Sequence, residues 1–234
     1  MKFACITSMS KSYYDRCGKH MLDSYRRYCN IPLYLYNEDF TPDFPQNLQG
    51  WNLGDDYLSF QSRWSKKSRV QTFAKKAYSI IDAMENIDTD YLVWIDADCV
   101  IKKELTEKYL ENLVGDKILS THFSVWHEEQ EKIYHSCETG FFILNKNHLL
   151  YNEFKDAYKN IYNQDLYQDL RRFYDGEVYG KVVSMFDQKY MNNLNSGKKK
   201  YKTPIGKSVL KDYIEHYKGK GLKDSVFFNN PPST

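Results

Sequence analysis

Five consecutive apolar residues, Tyr91-Leu92-Val93-Trp94-Ile95, run straight into Asp96-Ala97-Asp98. A strand that is apolar at every position has no face to show to water, so it must be covered on both sides. That requirement points to a sheet sandwiched between helices, and the flanking segments agree. Lys2 to Thr7, Pro32 to Tyr36, Lys117 to His122 and Phe141 to Leu144 read as further strands. Helical spacing brings Met21, Leu22, Tyr25 and Tyr28 together within Tyr13 to Cys29, and Val70, Phe73, Ala77, Ile80, Ile81 and Met84 after Ser68. Glu104 to Val114, Asn147 to Ile161 and Ser184 to Leu194 read as helices too, while Thr41 to Leu53, with Pro42, Pro45 and Gly50, reads as loop. Strands alternating with helices predict an α/β fold with a mostly parallel central sheet flanked by helices, as one domain spanning 1–234.

Composition removes several classes of function. Lys and Arg number 33 against 31 Asp and Glu, a net charge of +2, which gives no support for a nucleic-acid partner. No apolar run approaches the roughly 20 residues that span a bilayer. The apolar stretch at the N-terminus is too short for a signal peptide, so a soluble, cytoplasmic protein is expected. Cys5, Cys17, Cys29, Cys99 and Cys137 are odd in number and hold no C-x-x-C pair, which indicates neither a disulfide framework nor a zinc knuckle. Gly206-Lys207-Ser208 imitates the end of a phosphate-binding loop. The first glycine of that motif would fall on Tyr201 and no apolar strand leads in, so the motif is rejected. Asn195 to Lys202 reads as an exposed, lysine-rich loop.

The chemistry concentrates at Asp96 and Asp98. In open α/β sheets ligands bind beyond the carboxyl ends of the strands, where this pair sits. Two carboxylates so close repel unless a cation neutralises them, and a hard divalent ion that also meets phosphate oxygens does so well. A spacing of two in extended chain points both the same way.

A buried strand ending in D-x-D, preceded by a lysine-bearing amphipathic helix (FAKKAYSIIDAMEN), resembles the nucleotide-sugar glycosyltransferases of the GT-A fold. Three further segments carry the resemblance. Cys137-Glu138-Thr139-Gly140-Phe141-Phe142-Ile143-Leu144-Asn145 is similar to a small-residue turn and strand facing the donor sugar. Phe186 to Asn192 resembles a D-Q-x-x-x-N helix start, and Ile214-Glu215-His216-Tyr217-Lys218-Gly219 a late H-[FY]-x-G segment. Their order is that of the retaining family that includes glycogenin and bacterial lipooligosaccharide galactosyltransferases.

The resemblance implies a metal-dependent hexosyltransferase that uses a nucleoside-diphosphate sugar, UDP-sugar favoured, and a carbohydrate or other hydroxyl acceptor. Residues 1–99 would form the nucleotide-binding half, ending in the D-x-D, and 100–234 the acceptor half with a C-terminal metal and phosphate segment. Asp96, Asp98 and His216 would hold Mn2+ or Mg2+; an imidazole beside carboxylates suits manganese better than calcium. Thr7 and Ser8 would end the first strand near the base and ribose, with Tyr13 or Tyr14 stacking on the base. Lys76, with Lys75 competing, would reach the nucleotide or sugar; Arg63 and Arg69 are further candidates. Lys218, Gly219 and Lys220 would face the diphosphate. The family's lysine six places after the histidine falls on Leu222, so Lys220 or Lys223 would take its part. Asp187 and Gln188 would lie under the sugar, and Glu138 stands where the family has an amide, as a sugar-binding or charge-stabilising carboxylate. The loop holding His122, Trp126, His127 and His135 reads as an acceptor-facing wall or a surface loop. Competing readings are an inverting transferase with Asp187 or Glu177 as base, a nucleotidyltransferase, and a non-catalytic sugar-binding module.

Overall fold

The structure is a computed structural model that describes residues 1–42, 47–49, 53–64, 68–129, 132–166, 170, 174–195 and 204–218. Its centre is a seven-stranded sheet in the order β3-β2-β1-β4-β7-β6-β8. The strands are β1 (Phe3–Met9), β2 (Leu33–Asn37), β3 (Asn47–Gln49), β4 (Tyr91–Ile95), β6 (Leu119–Glu129), β7 (Lys132–Asn145) and β8 (Met191–Asn193). Six run one way; β7 alone runs against them, antiparallel to both β4 and β6. A second, two-stranded antiparallel sheet joins β5 (Cys99–Ile101) to β9 (Ile214–His216).

Strand β4 shows why its sequence is apolar throughout. Leu92 and Trp94 enter one core with Ala4, Ile6, Phe142 and Leu144, under α3 (Gly54–Arg63), α4 (Ser68–Asn86), α6 (Tyr151–Asn163) and α7 (Asp175–Val183). Tyr91, Val93 and Ile95 enter the other with Cys5, Leu33 and Ile143, under α2 (Lys19–Tyr28) and α5 (Glu107–Val114). Alternate side chains of one strand therefore fill two separate cores. The short helix α1 (Lys11–Tyr13) and a π turn at Tyr14–Gly18 lead into α2.

Three expectations are corrected. The Thr41 to Leu53 loop contains β3, which pairs in parallel with β2. The stretch before Glu138 is a long β6–β7 hairpin, not a loop. The helix expected over Ser184 to Leu194 is absent: α7 lies before it, and a 3-10 turn at Gln188–Tyr190 leads into β8. No helix among the described residues is long and apolar enough to cross a membrane. The five cysteines are buried and none is in a disulfide.

Candidate active site

The site forms where β4 ends. Asp96 to Cys99 is a tight turn, closed by the Cys99 amide donating to the Asp96 carbonyl at 2.9 Å. The acidic pair is thus brought together by a turn, not by the strand pleat. Parity carries Asp96 to the Trp94 face, where the Trp94 Nε1–H donates to Asp96 Oδ1 at 2.7 Å. Lys76, from the middle of α4, reaches the same oxygen at 2.6 Å. Its ammonium also donates to the Thr139 carbonyl at 2.7 Å and pairs with Asp175 Oδ2 at 2.9 Å. Thr139 Oγ1 donates to Asp175 Oδ2 at 2.6 Å. Lys75, its competitor, turns away to pair with Glu38.

Glu138 to Gly140 reach this edge because β7 runs antiparallel and bulges there. Opposite β6, Thr121 pairs with Phe142 but Phe123 pairs with Cys137, so the chain between them leaves the ladder. The Thr121 hydroxyl bridges the displaced segment, 2.7 Å from the Glu138 carbonyl and 3.1 Å from that of Phe141. On its other side, the Asp96 amide donates to the Gly140 carbonyl at 2.9 Å.

His216 arrives from the far end of the described chain because β9 pairs with β5: Cys99 sits opposite His216, and the Tyr217 amide donates to the Asp98 carbonyl at 3.0 Å. Its Nε2 lies 3.0 Å from Asp98 Oδ1 and 4.0 Å from Asp96 Oδ2, and its Nδ1 is 3.4 Å from Glu138 Oε1. Glu138 Oε1 also accepts from the Gly140 amide at 2.9 Å, and Oε2 pairs with Lys218 at 2.6 Å. A β-carbon on Gly140 would lie 2.5 Å from His216 Cε1, so the bare backbone is what lets the ring seat.

Electrostatics match this geometry. Burial alone would raise Glu138, but His216 and Lys218 outweigh it and hold the carboxyl down at about 2. Burial would likewise lower His216, yet Asp98 and Glu138 lift it to about 9. Burial opposes the charge on Lys76, and Asp175 and Asp96 overcome it and raise the ammonium. Asp175, pushed up by burial, is pulled lower overall by Lys76 and Thr139. Burial pushes Asp96 up, Lys76 pulls it down, and Asp98 adds to the net rise.

A pH dependence follows for the metal-free protein. His216 is raised from an unfolded value of about 6.5, so its stabilisation is full below that pH and lost as pH rises through about 9. In EDTA, Tm is expected to fall by several degrees between those limits, with a smaller fall in Asp98→Asn. An identical pH profile for the two proteins would contradict the assignment.

A divalent cation fits. His216 Nε2 faces a carboxylate oxygen of Asp98 at 3.0 Å and of Asp96 at 4.0 Å, and the charge of Asp98 adds to the rise in Asp96 even with Lys76 beside it, the kind of cluster that a further cation relieves. Cys99 stands near Asp98 and His216. Its ligand atom lies with theirs in one group that could hold a metal ion; without an ion, burial pushes the thiol well up and its Sγ donates to the Gly140 carbonyl at 3.4 Å.

The other expected residues divide. Thr7 and Ser8 lie at the carboxyl end of β1, one step past the Ile6–Trp94 pair and so beside Ile95 and Asp96. Thr7 is buried, and its Oγ1 has no hydrogen-bond partner among the described residues. Tyr13 is exposed at the start of the helical segment, whereas Tyr14 packs on Phe40. Arg63 binds Asp165 and lies outside the cluster. The side chains of Arg69, Trp126, His127 and His135 fall outside the described residues, as do Gly219, Lys220, Lys223 and most of Asn195 to Lys202. His122 is buried on β6, with Nε2 unpartnered among the described residues.

Asp187 and Gln188 are corrected. Asp187 is exposed, caps the 3-10 turn through the Lys189 amide, and pairs with the Lys189 side chain at 3.0 Å. The turn leads into β8, which is parallel to β6 and therefore to β4; Met191 pairs with Leu119, which pairs with Leu144, which pairs with Leu92. Met191, where β8 begins, thus lies at the level of Leu92, about 13 Å along the strands from Asp96 at about 3.3 Å per residue, and three strands away from β4. The carboxylate that does reach the site is Asp175, which the sequence reading missed. Its signal was an acidic helix start, Asp175-Gly176-Glu177, before the helical pairs Val178-Tyr179 and Val182-Val183.

No protein-family model matches the chain, and no curated protein does. Solved structures do. Mouse xyloside xylosyltransferase 1, in its apo form, is 10% identical over 83% of this chain and 86% of its own, with a TM-score of 0.56. Galactosyltransferase LgtC, in complex with donor and acceptor sugar analogues, is 13% identical over 92% and 87%, with a TM-score of 0.58. The fold is GT-A. The apo bifunctional glycosyltransferase WbbM shares it, at 14% identity over 82% of this chain and 38% of that one, with a TM-score of 0.54. In this GT-A fold the cluster of Asp96, Asp98, Lys76, Asp175 and His216 occupies the carboxyl edge of β4, the place where open α/β sheets bind their ligands.

Proposed function

We propose that the protein is a metal-dependent glycosyltransferase that moves a hexose from a nucleoside-diphosphate sugar, with UDP-sugar as the favoured donor, to a carbohydrate hydroxyl, with retention. The observation that carries this reading is the convergence of Asp96, Asp98 and His216 at the carboxyl edge of a GT-A sheet. These three residues would hold Mn2+ or Mg2+, which when bound neutralises the donor diphosphate as it departs. The first half of the chain, to Cys99, supplies the nucleotide side, with Thr7 and Ser8 at the end of β1 beside Asp96. The second half supplies the acceptor side and, with Asp175, His216 and Lys218, the donor-sugar contact and the C-terminal metal and phosphate segment.

This chain's own residues supply the rest. Lys76 and Thr139 fix Asp175 beside Asp96, which makes Asp175 the carboxylate best placed to hold a hydroxyl of the donor sugar. Lys218 brings a half-exposed cation to the same rim. Charge set in a dry, ordered site stabilises a departing anion without reorganising.

Retention is supported by the weakness of the available bases. An inverting enzyme needs a group that takes the acceptor proton near neutral pH. Asp175 and Glu138 are both held below the ordinary carboxylate range by their cations. With Asp175 and Glu138 held low, the departing diphosphate would accept the proton on the same face, which keeps the donor's anomeric configuration. NMR of the product from an α-linked donor is expected to show an α linkage. A β linkage would overturn retention and turn attention to Glu177, in the first turn of α7, as the base.

A further inference from the structure

We propose that Glu138 is a positioning residue: its carboxylate holds the proton of His216 on Nδ1 and aims Nε2 at Asp96 and Asp98, preparing the imidazole to ligate a divalent cation. The inference rests on the metal reading above and deepens it.

Four observations carry it. The side chains of Glu138 and His216 are both 2% exposed, so neither faces open solvent. Nε2 lies 3.0 Å from Asp98 Oδ1, while Nδ1, buried and without a hydrogen-bond partner among the described residues, has the Glu138 carboxylate 3.4 Å away. Both Glu138 oxygens have neighbours within the protein, Oε1 the Gly140 amide and His216, Oε2 the Lys218 ammonium. The ring also lies only 2.5 Å from where a Gly140 β-carbon would be, so packing against the bare backbone fixes its place.

The physical reason is tautomerism. A neutral imidazole carries one N–H, and the nitrogen without it is the ligand. A carboxylate at Nδ1 draws the proton there and leaves the Nε2 lone pair for the cation. Outer-shell carboxylates of this kind orient ligating histidines, and losing one costs about 10- to 100-fold in metal affinity. Lys218 neutralises the buried Glu138 charge from the other side, so the carboxylate can sit in a dry place without a second cation. The bulge in β7 is the device that delivers it: in a regular ladder with β6, Glu138 would not leave the sheet to meet β9.

The test is titration of Mn2+ alone into the full chain, read from the electron paramagnetic resonance signal of free Mn2+. Nitrogen-15 NMR of the imidazole, in the Mg2+-loaded protein, reads the tautomer. Glu138→Ala is expected to weaken Mn2+ binding by about 10- to 100-fold and to lose the fixed Nδ1–H tautomer. Glu138→Gln keeps an acceptor oxygen; it is expected to recover much of that affinity and the Nδ1–H signal, and it decides the matter if the alanine variant does not fold. Folded Glu138 variants with wild-type Mn2+ affinity and an unchanged tautomer overturn the proposal. Asp98→Asn separates the two readings. If it loses Mn2+ while the Glu138 variants keep it, the role of Glu138 alone fails. If the wild-type chain binds no Mn2+, both fail.

Discussion

Asp98→Ala is expected to abolish Mn2+-dependent binding of UDP while leaving the fold in place. Asp98 is buried, faces His216 Nε2 at 3.0 Å, and shares the edge of β4 with Asp96. Removing it takes away one of three ligands and the negative charge that draws the cation in. Electrostatic stabilisation of this sort is commonly worth several kcal/mol, so a loss of about 100-fold or more in UDP affinity is expected in Mn2+. In EDTA, where the ion plays no part, the variant and the parent should bind UDP equally poorly. Circular dichroism should show unchanged secondary structure, because Asp98 sits in a turn outside both cores. UDP affinity in Mn2+ within a factor of about three of wild type would remove Asp98 from the metal site, since a lost electrostatic ligand should cost far more.

Lys76→Ala is expected to have the largest effect on stability. Its ammonium is the cation between Asp96 and Asp175, and its side chain is only 12% exposed. Deleting one partner of a buried ionic cluster leaves uncompensated charge and costs about 3–5 kcal/mol. For a chain of this size each kcal/mol moves Tm by about 2–4 °C, so a fall of about 6–20 °C is expected. Adding Asp175→Asn should return part of the loss, because the neutral amide no longer needs the cation. The sign with pH is also fixed. Asp175 is held below its unfolded value of about 3.9, so its stabilisation is present above that pH and lost as pH falls through the native value. The double variant should therefore lose less stability in acid than the parent. A Tm within about 2 °C of wild type for Lys76→Ala would mean that the cluster is solvated and carries little energy.

The strand that organises the site was legible because burial on two faces demands an unbroken apolar run, and few segments other than Tyr91 to Ile95 meet that demand. Lys76 was legible from its place on the helix before it, though only the structure separates it from Lys75, which pairs with Glu38. His216 was legible as a late histidine among lysines and glycines, but its delivery to Asp98 depends on the pairing of β9 with β5, which local sequence does not encode. Asp187 and Gln188 misled for a related reason. Their motif is local, whereas the edge of the sheet they reach depends on β8 running parallel to β6. Asp175 escaped notice because its partners, Lys76 and Thr139, come from distant parts of the chain. The β6–β7 hairpin was hidden by its polarity: Glu128, Glu129 and Lys132 carry charge where a buried strand would be apolar.

The central claim is that a divalent cation on Asp96, Asp98 and His216 receives a nucleoside diphosphate. Calorimetric titration of UDP into the full chain, once with Mn2+ and once with EDTA, tests it most directly. Binding with Mn2+ that disappears in EDTA is the predicted result. Equal UDP affinity in the two conditions, or no binding in either, would contradict it.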